Sequence, residues 1–285
     1  MKPAVHQQSF AGSALDLLGD VAGPEDGPAV LFMHGGGQTR HSWGGALLRA
    51  AERGYRAVSL DLRGHGDSDW SDGGSYHLSD YVADARAVVA ALDRPVAIVG
   101  ASLGGLIGLL VAGEPQPGER VSSLVLVDVA PRIEAEGTNQ VAGFMQSAPD
   151  GFASLEEAAD AVSAYLPHRP RPSSLEGLRK NLREGADGRF RWHWDPKMIT
   201  SGRLDPRGSR DRLEQAARHA AVPLLLVRGA MSQVVSDRSV QEFRALAPAA
   251  EYVNVRGADH MVAGDRNDAF NEAVFGFLDR HAPPR

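Results

Sequence analysis

The sequence feature that most constrains the fold is a Gly-x-Ser-x-Gly pentapeptide at residues 100–104, which lies between two apolar runs. The run at 96–99 is short and β-branched and predicts a buried strand, whereas the run at 106–113 is long enough for a buried helix. A strand turns this sharply into a helix only where small residues flank the turn, because Cβ atoms would collide there. The pattern predicts a strained Ser102 with its hydroxyl exposed above the sheet edge as a nucleophile. The alternative is a glycine-rich turn with a solvated serine.

Length and composition fit one large globular domain, or a domain with an insertion. The chain has 285 residues, of which 43% are hydrophobic and 23% are charged, so a sizeable core can form. A net charge of −6 argues against nucleic acid as a main partner, because phosphate binding needs concentrated Lys and Arg. Since there is no cysteine, disulfides, thiolate catalysis and Cys-ligated metals are excluded.

The N-terminal residues 1–8 lack the apolar core of a signal peptide. No apolar run approaches the ~20 residues of a membrane span. We therefore expect a cytoplasmic protein with no membrane partner. We also expect a small-molecule substrate and a monomer or homodimer.

Apolar strands alternate with helices over much of the chain, which predicts an α/β fold with parallel strands and helices on both faces of the sheet. Residues 4–21 are expected to form an antiparallel hairpin at one sheet edge. Between 132 and 215 the sequence predicts no strand, and its amphipathic helices at 155–166 and 175–184 indicate a helical cap. The predicted domains are 1–131 (first part of the core), 132–215 (cap) and 216–285 (second part of the core).

A nucleophilic serine needs a general base, an acid that orients the base, and donors for the developing oxyanion. His260 is the candidate base, because it follows a predicted strand and a turn on the same sheet edge as Ser102. The backbone amide of Leu103, directly after the nucleophile, is the first expected oxyanion donor. The second is expected in the loop after the strand at 29–33, where Gly36 is our choice and Gly37 the next candidate.

On these motifs the chain resembles the α/β-hydrolase superfamily over almost its whole length. The residues that carry the resemblance are His34-Gly35-Gly36-Gly37 with Trp43, the segment 61–68, Gly100-Ala101-Ser102-Leu103-Gly104-Gly105, and the late His260. The resemblance implies a mostly parallel eight-stranded sheet with a cap after strand six, as in esterases, lactonases, carbon–carbon bond hydrolases, haloalkane dehalogenases and epoxide hydrolases. The last two groups use an aspartate nucleophile, which Ser102 disfavours. The loop at 63–66 is structural in the family.

The resemblance leaves the triad acid open. Most members place it shortly after the seventh strand and often read Ser-Asp there, whereas this chain reads Ser232-Gln233. We assign the acid to Asp128 at the end of the sixth strand, where some superfamily members carry it. The alternative is that Gln233 replaces the acid, which would reduce turnover by orders of magnitude.

The sequence thus predicts a serine hydrolase that cleaves a carboxylic ester or lactone of a small or medium apolar substrate. Gly37 and the cap residue Trp194 are expected to contact that substrate. No His-Glu-x-x-His or comparable cluster occurs, so neither a metal nor another cofactor is expected. The alternatives are a carbon–carbon bond hydrolase acting next to a ketone, and a ligand-binding member with weakened catalysis.

Overall fold

The computed structural model describes residues 3–167, 171, 174–255 and 268–284. Among these residues, the main sheet has eight strands in the order β1-β2-β4-β3-β5-β6-β9-β10. Their bounds are β1 (Val5–Ala11), β2 (Asp16–Ala22), β3 (Ala29–Met33), β4 (Arg56–Leu60), β5 (Val96–Ala101), β6 (Val121–Val127), β9 (Leu224–Gly229) and β10 (Glu251–Val255). β1 and β2 form an antiparallel hairpin, β2 pairs antiparallel with β4, and all other pairs are parallel. The predicted mostly parallel α/β-hydrolase sheet is confirmed.

Helices cover both faces of the sheet because side chains alternate across each strand. Leu31 faces one core cluster, together with α2, α3, α8 and α9, whereas Val30 and Phe32 face the other with α1 and α10. The helices of these layers are α1 (Gly44–Glu52), α2 (Leu78–Ala91), α3 (Leu103–Gly113), α8 (Arg210–His219), α9 (Asp237–Leu246) and α10 (Asp268–His281). β3, β5 and β9 are buried along their whole length, as expected of strands covered on both faces.

The segment between β6 and α8 contains helices and a small second sheet. Its elements are α4 (Ala135–Met145), α5 (Leu155–Tyr165), α6 (Glu176–Arg179), β7 (Leu182–Glu184), β8 (Phe190–Trp192) and α7 (Lys197–Thr200). The expectation of no strand here is wrong, since β7 and β8 pair antiparallel, and the predicted helix at 175–184 shortens to α6. Three-residue strands are too short for a readable alternation of polar and apolar residues.

The predicted limit of the cap at residue 215 falls within α8. This helix packs closely on α3, because a Cβ atom at Gly113 would overlap the backbone of Ala216. Residues 210–215 therefore belong to the helical layer on the sheet. No helix within the described parts of the chain has the length and apolar composition needed to cross a bilayer.

Candidate active site

Ser102 lies at the sharp turn between β5 and α3. Its backbone adopts φ 46° and ψ −114°, a left-handed conformation that costs a non-glycine residue of order 1–3 kcal/mol. A Cβ atom at Gly100 would overlap the carbonyl oxygen of Gly104, and one at Gly104 would overlap that of Met33. The two glycines of the pentapeptide are therefore required by backbone contact, as the sequence indicated.

Two backbone amides beside Ser102 have no hydrogen-bond acceptor among the described residues: those of Gly36 and Leu103. Both residues line a cavity together with Ser102. The neighbouring amides are occupied, since Gly35 donates to Oε1 of Gln38 over 2.9 Å and Gly37 donates to Nε2 of His65 over 3.2 Å. Within the glycine triplet, only Gly36 can offer its N–H to a substrate oxygen.

Three buried imidazoles hold the loops around this amide. His34 accepts from the amide of Leu62 at Nε2 over 3.0 Å and donates from Nδ1 to the carbonyl of Gly35 over 2.8 Å. His65 donates from Nδ1 to Arg63 and accepts from Gly37, as described above. The rings of His34 and His65 meet edge to face at 4.8 Å. The glycine loop is therefore fixed through its histidine neighbours.

The third imidazole, His193, comes from the cap. Its Nδ1 accepts from the amide of Gly66 over 2.8 Å, and its ring lies 5.9 Å from that of His65. Asp195, two residues on, accepts from the hydroxyl of Tyr76 over 2.6 Å, and its amide donates to the carbonyl of Gly64 over 2.8 Å. These bonds fasten the cap to the loop that supports Gly37. No sequence motif marks His193, because its partner Gly66 lies 127 positions away.

Burial keeps these imidazoles neutral. It lowers the pKa of His34 to about 4 and the pKa of His65 to about 3, against an ordinary value of 6.5. Burial, with the neighbouring imidazoles, also lowers the pKa of His193 well below its ordinary value. A neutral ring carries one acceptor nitrogen, and each of the three uses it for a backbone amide.

Asp128 lies next to the nucleophile at the carboxyl edge of the sheet. Ala101 pairs with Val127 across β5 and β6, so Ser102 and Asp128 are the residues that directly follow a paired position. The side chain of Asp128 is fully buried, and its backbone φ of 50° is left-handed. Its Oδ1 accepts from the amide of Gly229 over 3.0 Å. The structure thus places Asp128 where a carboxylate could orient a base beside Ser102.

The loop after β9, the seventh strand of the main sheet in chain order, supports Asp128. The hydroxyl of Ser232 donates to Oδ2 of Asp128 over 2.6 Å. The side chain of Gln233 is exposed. Asp237 is 86% exposed and pairs with Arg228. The sequence placed Ser232 in this loop, but its partnership with Asp128 depends on the register between β6 and β9.

His260 lies outside the described residues. The strand that precedes it, β10, ends at Val255, which pairs with Gly229, the residue whose amide binds Asp128. The chain therefore leaves the sheet beside the acid candidate.

Two cavities lie against Ser102 and Gly36. The first, of about 210 Å³, is here called the aliphatic lobe. Its apolar walls come from α3, α4, α7 and the loops around them: Leu106, Val129, Ile133, Val141, Met145, Met198, Ile199, Leu204 and Val234. The second, of about 170 Å³, is the aromatic lobe, lined by Phe144, Tyr165, Trp192 and Trp194 together with Gly37 and Gln38. Both predicted substrate-contact residues, Gly37 and Trp194, are thus on its wall.

The aromatic lobe has a rigid wall. Trp192 and Trp194 stack at 4.9 Å with an interplanar angle of 11°, and Phe144 stacks on Tyr165 at 4.2 Å. The Nε1 of Trp194 donates to the carbonyl of Met145 over 3.2 Å, which fixes the ring. His193 turns to the opposite side, as alternation along an extended segment requires.

No group of three or more His, Asp or Glu side chains is arranged to hold a metal ion within the described part of the chain.

Comparisons with known proteins agree with this fold. Residues 30–273 match the model of a family described as the alpha/beta hydrolase family. An esterase of Mycobacterium tuberculosis is 32% identical over 262 residues, which are 88% of this chain and 83% of the esterase. A 2-(acetamidomethylene)succinate hydrolase of Mesorhizobium japonicum is 30% identical over 259 residues, 89% of this chain and 88% of that protein.

Solved structures show the same architecture. An E-2-(acetamidomethylene)succinate hydrolase superposes with a TM-score of 0.85 at 25% identity, covering 97% of this chain and 100% of that one. The M. tuberculosis esterase superposes with a TM-score of 0.79 at 28% identity, covering 98% of this chain and 93% of that one.

Proposed function

The chain belongs to the alpha/beta hydrolase family and is a hydrolase, and we propose that it cleaves carboxylic esters or lactones through an acyl-enzyme on Ser102. One observation carries the proposal. A strained serine at a strand–helix turn shares a cavity wall with two unused amides, those of Gly36 and Leu103. Such amides stabilise the oxyanion that forms when a hydroxyl attacks a carbonyl.

The reaction has two steps in this proposal. The hydroxyl of Ser102 attacks the carbonyl carbon and gives its proton to the imidazole of His260, while the carbonyl oxygen accepts from Gly36 and Leu103. The ester C–O bond then breaks, and the leaving oxygen takes the proton from His260. In the second step His260 removes a proton from water, and the water oxygen attacks the acyl carbonyl carbon. The bond from that carbon to Oγ of Ser102 then breaks, and His260 returns its proton to Oγ as the acid is released.

Asp128 is the acid of the proposed triad. Two donors fix its carboxylate, the amide of Gly229 and the hydroxyl of Ser232, and its strand is adjacent to that of Ser102. β10 ends at Val255, which pairs with Gly229, and His260 follows five positions later in the sequence as the proposed base. This arrangement argues against the alternative of a family member with weakened catalysis, because Asp128 supplies the carboxylate that is absent at Gln233.

The lobes suggest the substrate's shape. Both are mainly apolar and both are lined by Ser102, so one can hold the acyl group and the other the leaving group. Cleavage of a carbon–carbon bond next to a ketone would use the same residues. We favour the ester or lactone, because one of the similar proteins is described as an esterase.

The proposal is tested with short-chain p-nitrophenyl esters and a 1,3-diketone. We expect ester hydrolysis by the wild type and a loss of about 10³-fold or more in kcat for Ser102→Ala. Ser9→Ala is the control, since Ser9 is exposed on the edge strand β1. Cleavage of the diketone without ester hydrolysis would favour the carbon–carbon reaction instead.

A further inference from the structure

The wall of the aliphatic lobe includes polar side chains that the proposed chemistry does not use. Asn139 on α4 and Arg207 in the loop before α8 line this lobe together with Ser102. The side chains of both residues have no hydrogen bond or ion pair with any other described residue. Two groups of donors therefore face the cavity that contains the nucleophile.

Arg207 is unusual among the arginines of the chain. Within the described ranges, the only other arginine side chain without a hydrogen bond, ion pair or ring partner is that of Arg244. Both arginines are exposed, but Arg244, on α9, lines neither lobe. By contrast, Arg203, near Arg207 in sequence, donates to the carbonyls of Gly73 and Gly74 over 2.7 Å.

The acidic residue of this lobe does not neutralise Arg207 through a direct contact. Asp205 also lines the cavity, but its Oδ1 accepts from the amide of Gly208 over 2.8 Å within its own turn. No ion pair joins Asp205 to Arg207 in the described structure. The guanidinium remains available to a ligand.

We propose that Asn139 and Arg207 bind a carboxylate of the substrate, so that the preferred substrates are esters with an apolar body and a distal anionic end. This inference rests on the proposed function, because the scissile carbonyl must lie at Ser102 in the same cavity. A guanidinium presents paired donors that match a carboxylate, and the amide of Asn139 adds a further donor. Both side chains are exposed to solvent, so the strength of this pairing depends on the salt concentration.

The test compares charged substrates with neutral ones of equal length. p-Nitrophenyl half-esters of succinate, glutarate, adipate and pimelate place a carboxylate on the acyl side, and p-nitrophenyl alkanoates are their neutral matches. Acetate esters of ω-hydroxy acids and of simple alcohols make the same comparison on the leaving-group side. For at least one length in one series, we expect kcat/KM to favour the anionic substrate.

Variants assign the preference to the two residues. Arg207→Gln should lower kcat/KM for the preferred anionic ester about tenfold or more and leave the neutral ester within about twofold. Asn139→Ala should give a smaller loss of the same kind. Arg244→Gln removes the same charge from a surface outside the lobes, so it should leave kcat/KM unchanged for both substrates. The effect of Arg207→Gln should shrink as salt is raised.

The outcomes separate this inference from the proposed function. Absence of Ser102-dependent hydrolysis for every ester would contradict the proposed function itself. Ser102-dependent hydrolysis without an anionic preference, or a preference that Arg207→Gln leaves intact, would overturn the carboxylate site alone. A charge reversal, Arg207→Glu, supplies a second check: it should abolish the anionic preference while neutral esters are still cleaved.

Discussion

The hydroxyl of Ser232 donates to Oδ2 of Asp128 over 2.6 Å, which joins the loop after β9 to the end of β6. Ser232 also accepts from the amides of Val234 and Val235, so the hydroxyl organises its own loop as well. Together with the amide of Gly229, it leaves the carboxylate of Asp128 little rotational freedom. A fixed carboxylate is what a triad needs to hold the imidazole in one tautomer and orientation.

Asp128→Asn tests the acid directly. We expect kcat for p-nitrophenyl ester hydrolysis to fall by roughly 10⁴-fold with little change in KM, because an amide favours the wrong imidazole tautomer. Gln233→Asp should leave kcat within about threefold, since the side chain of Gln233 is exposed. A nearly inert wild type that Gln233→Asp activates would show that Asp128 is not the acid.

Ser232→Ala should weaken the support of Asp128 without removing the charge. We expect kcat to fall by about tenfold, corresponding to the loss of one hydrogen bond to a charged group, while KM changes little. Ser232→Thr keeps the hydroxyl and should recover most of the rate. Equal losses in the two variants would mean that packing in the loop, and not the bond to Asp128, determines the rate.

Gly100→Ala should destabilise the fold, because the added methyl group would overlap the carbonyl of Gly104. We expect a loss of about 3 kcal/mol or more in the free energy of unfolding, measured by urea denaturation. Gly45→Ala is the matched control, since a Cβ there meets nothing within 4 Å and the site is an exposed helix position in α1. That substitution should stabilise the protein by roughly 0.5–1 kcal/mol.

The buried imidazoles predict a loss of stability in mild acid. Their pKa values are lowered in the folded state, to about 4 for His34 and about 3 for His65, so below about pH 6.5 the unfolded chain binds more protons. The contribution of these histidines to the free energy of unfolding is therefore fully present above about pH 6.5. It should fall by about 1.4 kcal/mol per pH unit for each histidine that stays neutral.

His193→Gln should flatten this dependence, because the pKa of His193 is also lowered by burial. Urea denaturation between about pH 6.5 and pH 5 isolates the histidines, since carboxylates titrate mainly below about pH 4.5. The exposed His6 on β1 gives the control variant His6→Gln, which should keep the wild-type slope. An unchanged slope in His193→Gln would show that His193 is not held neutral.

The sequence predicted those features of the site that depend on local backbone geometry. The glycine spacing around Ser102 requires a tight strand–helix turn, and the position of Asp128 follows from strand order at one sheet edge. The sequence did not predict β7 and β8, because strands of three residues are too short to show an alternation of polar and apolar side chains.

Other site features depend on contacts between distant parts of the chain. The bond from Ser232 to Asp128 spans 104 positions, and that from Gly66 to His193 spans 127. Nothing in the sequence distinguishes Asn139 and Arg207 from other polar residues. Only the folded chain brings them to the cavity of Ser102. No periodicity or motif marks such residues, because their role comes from position alone.

Covalent labelling of Ser102 tests the central claim most directly. The protein is treated with a fluorophosphonate, and intact mass and peptide mapping locate the adduct. We predict one adduct per chain on Ser102, no adduct in Ser102→Ala, and much slower labelling in Asp128→Asn. An unlabelled wild type, or equal labelling of wild type and Ser102→Ala, would contradict an acyl-enzyme on this serine.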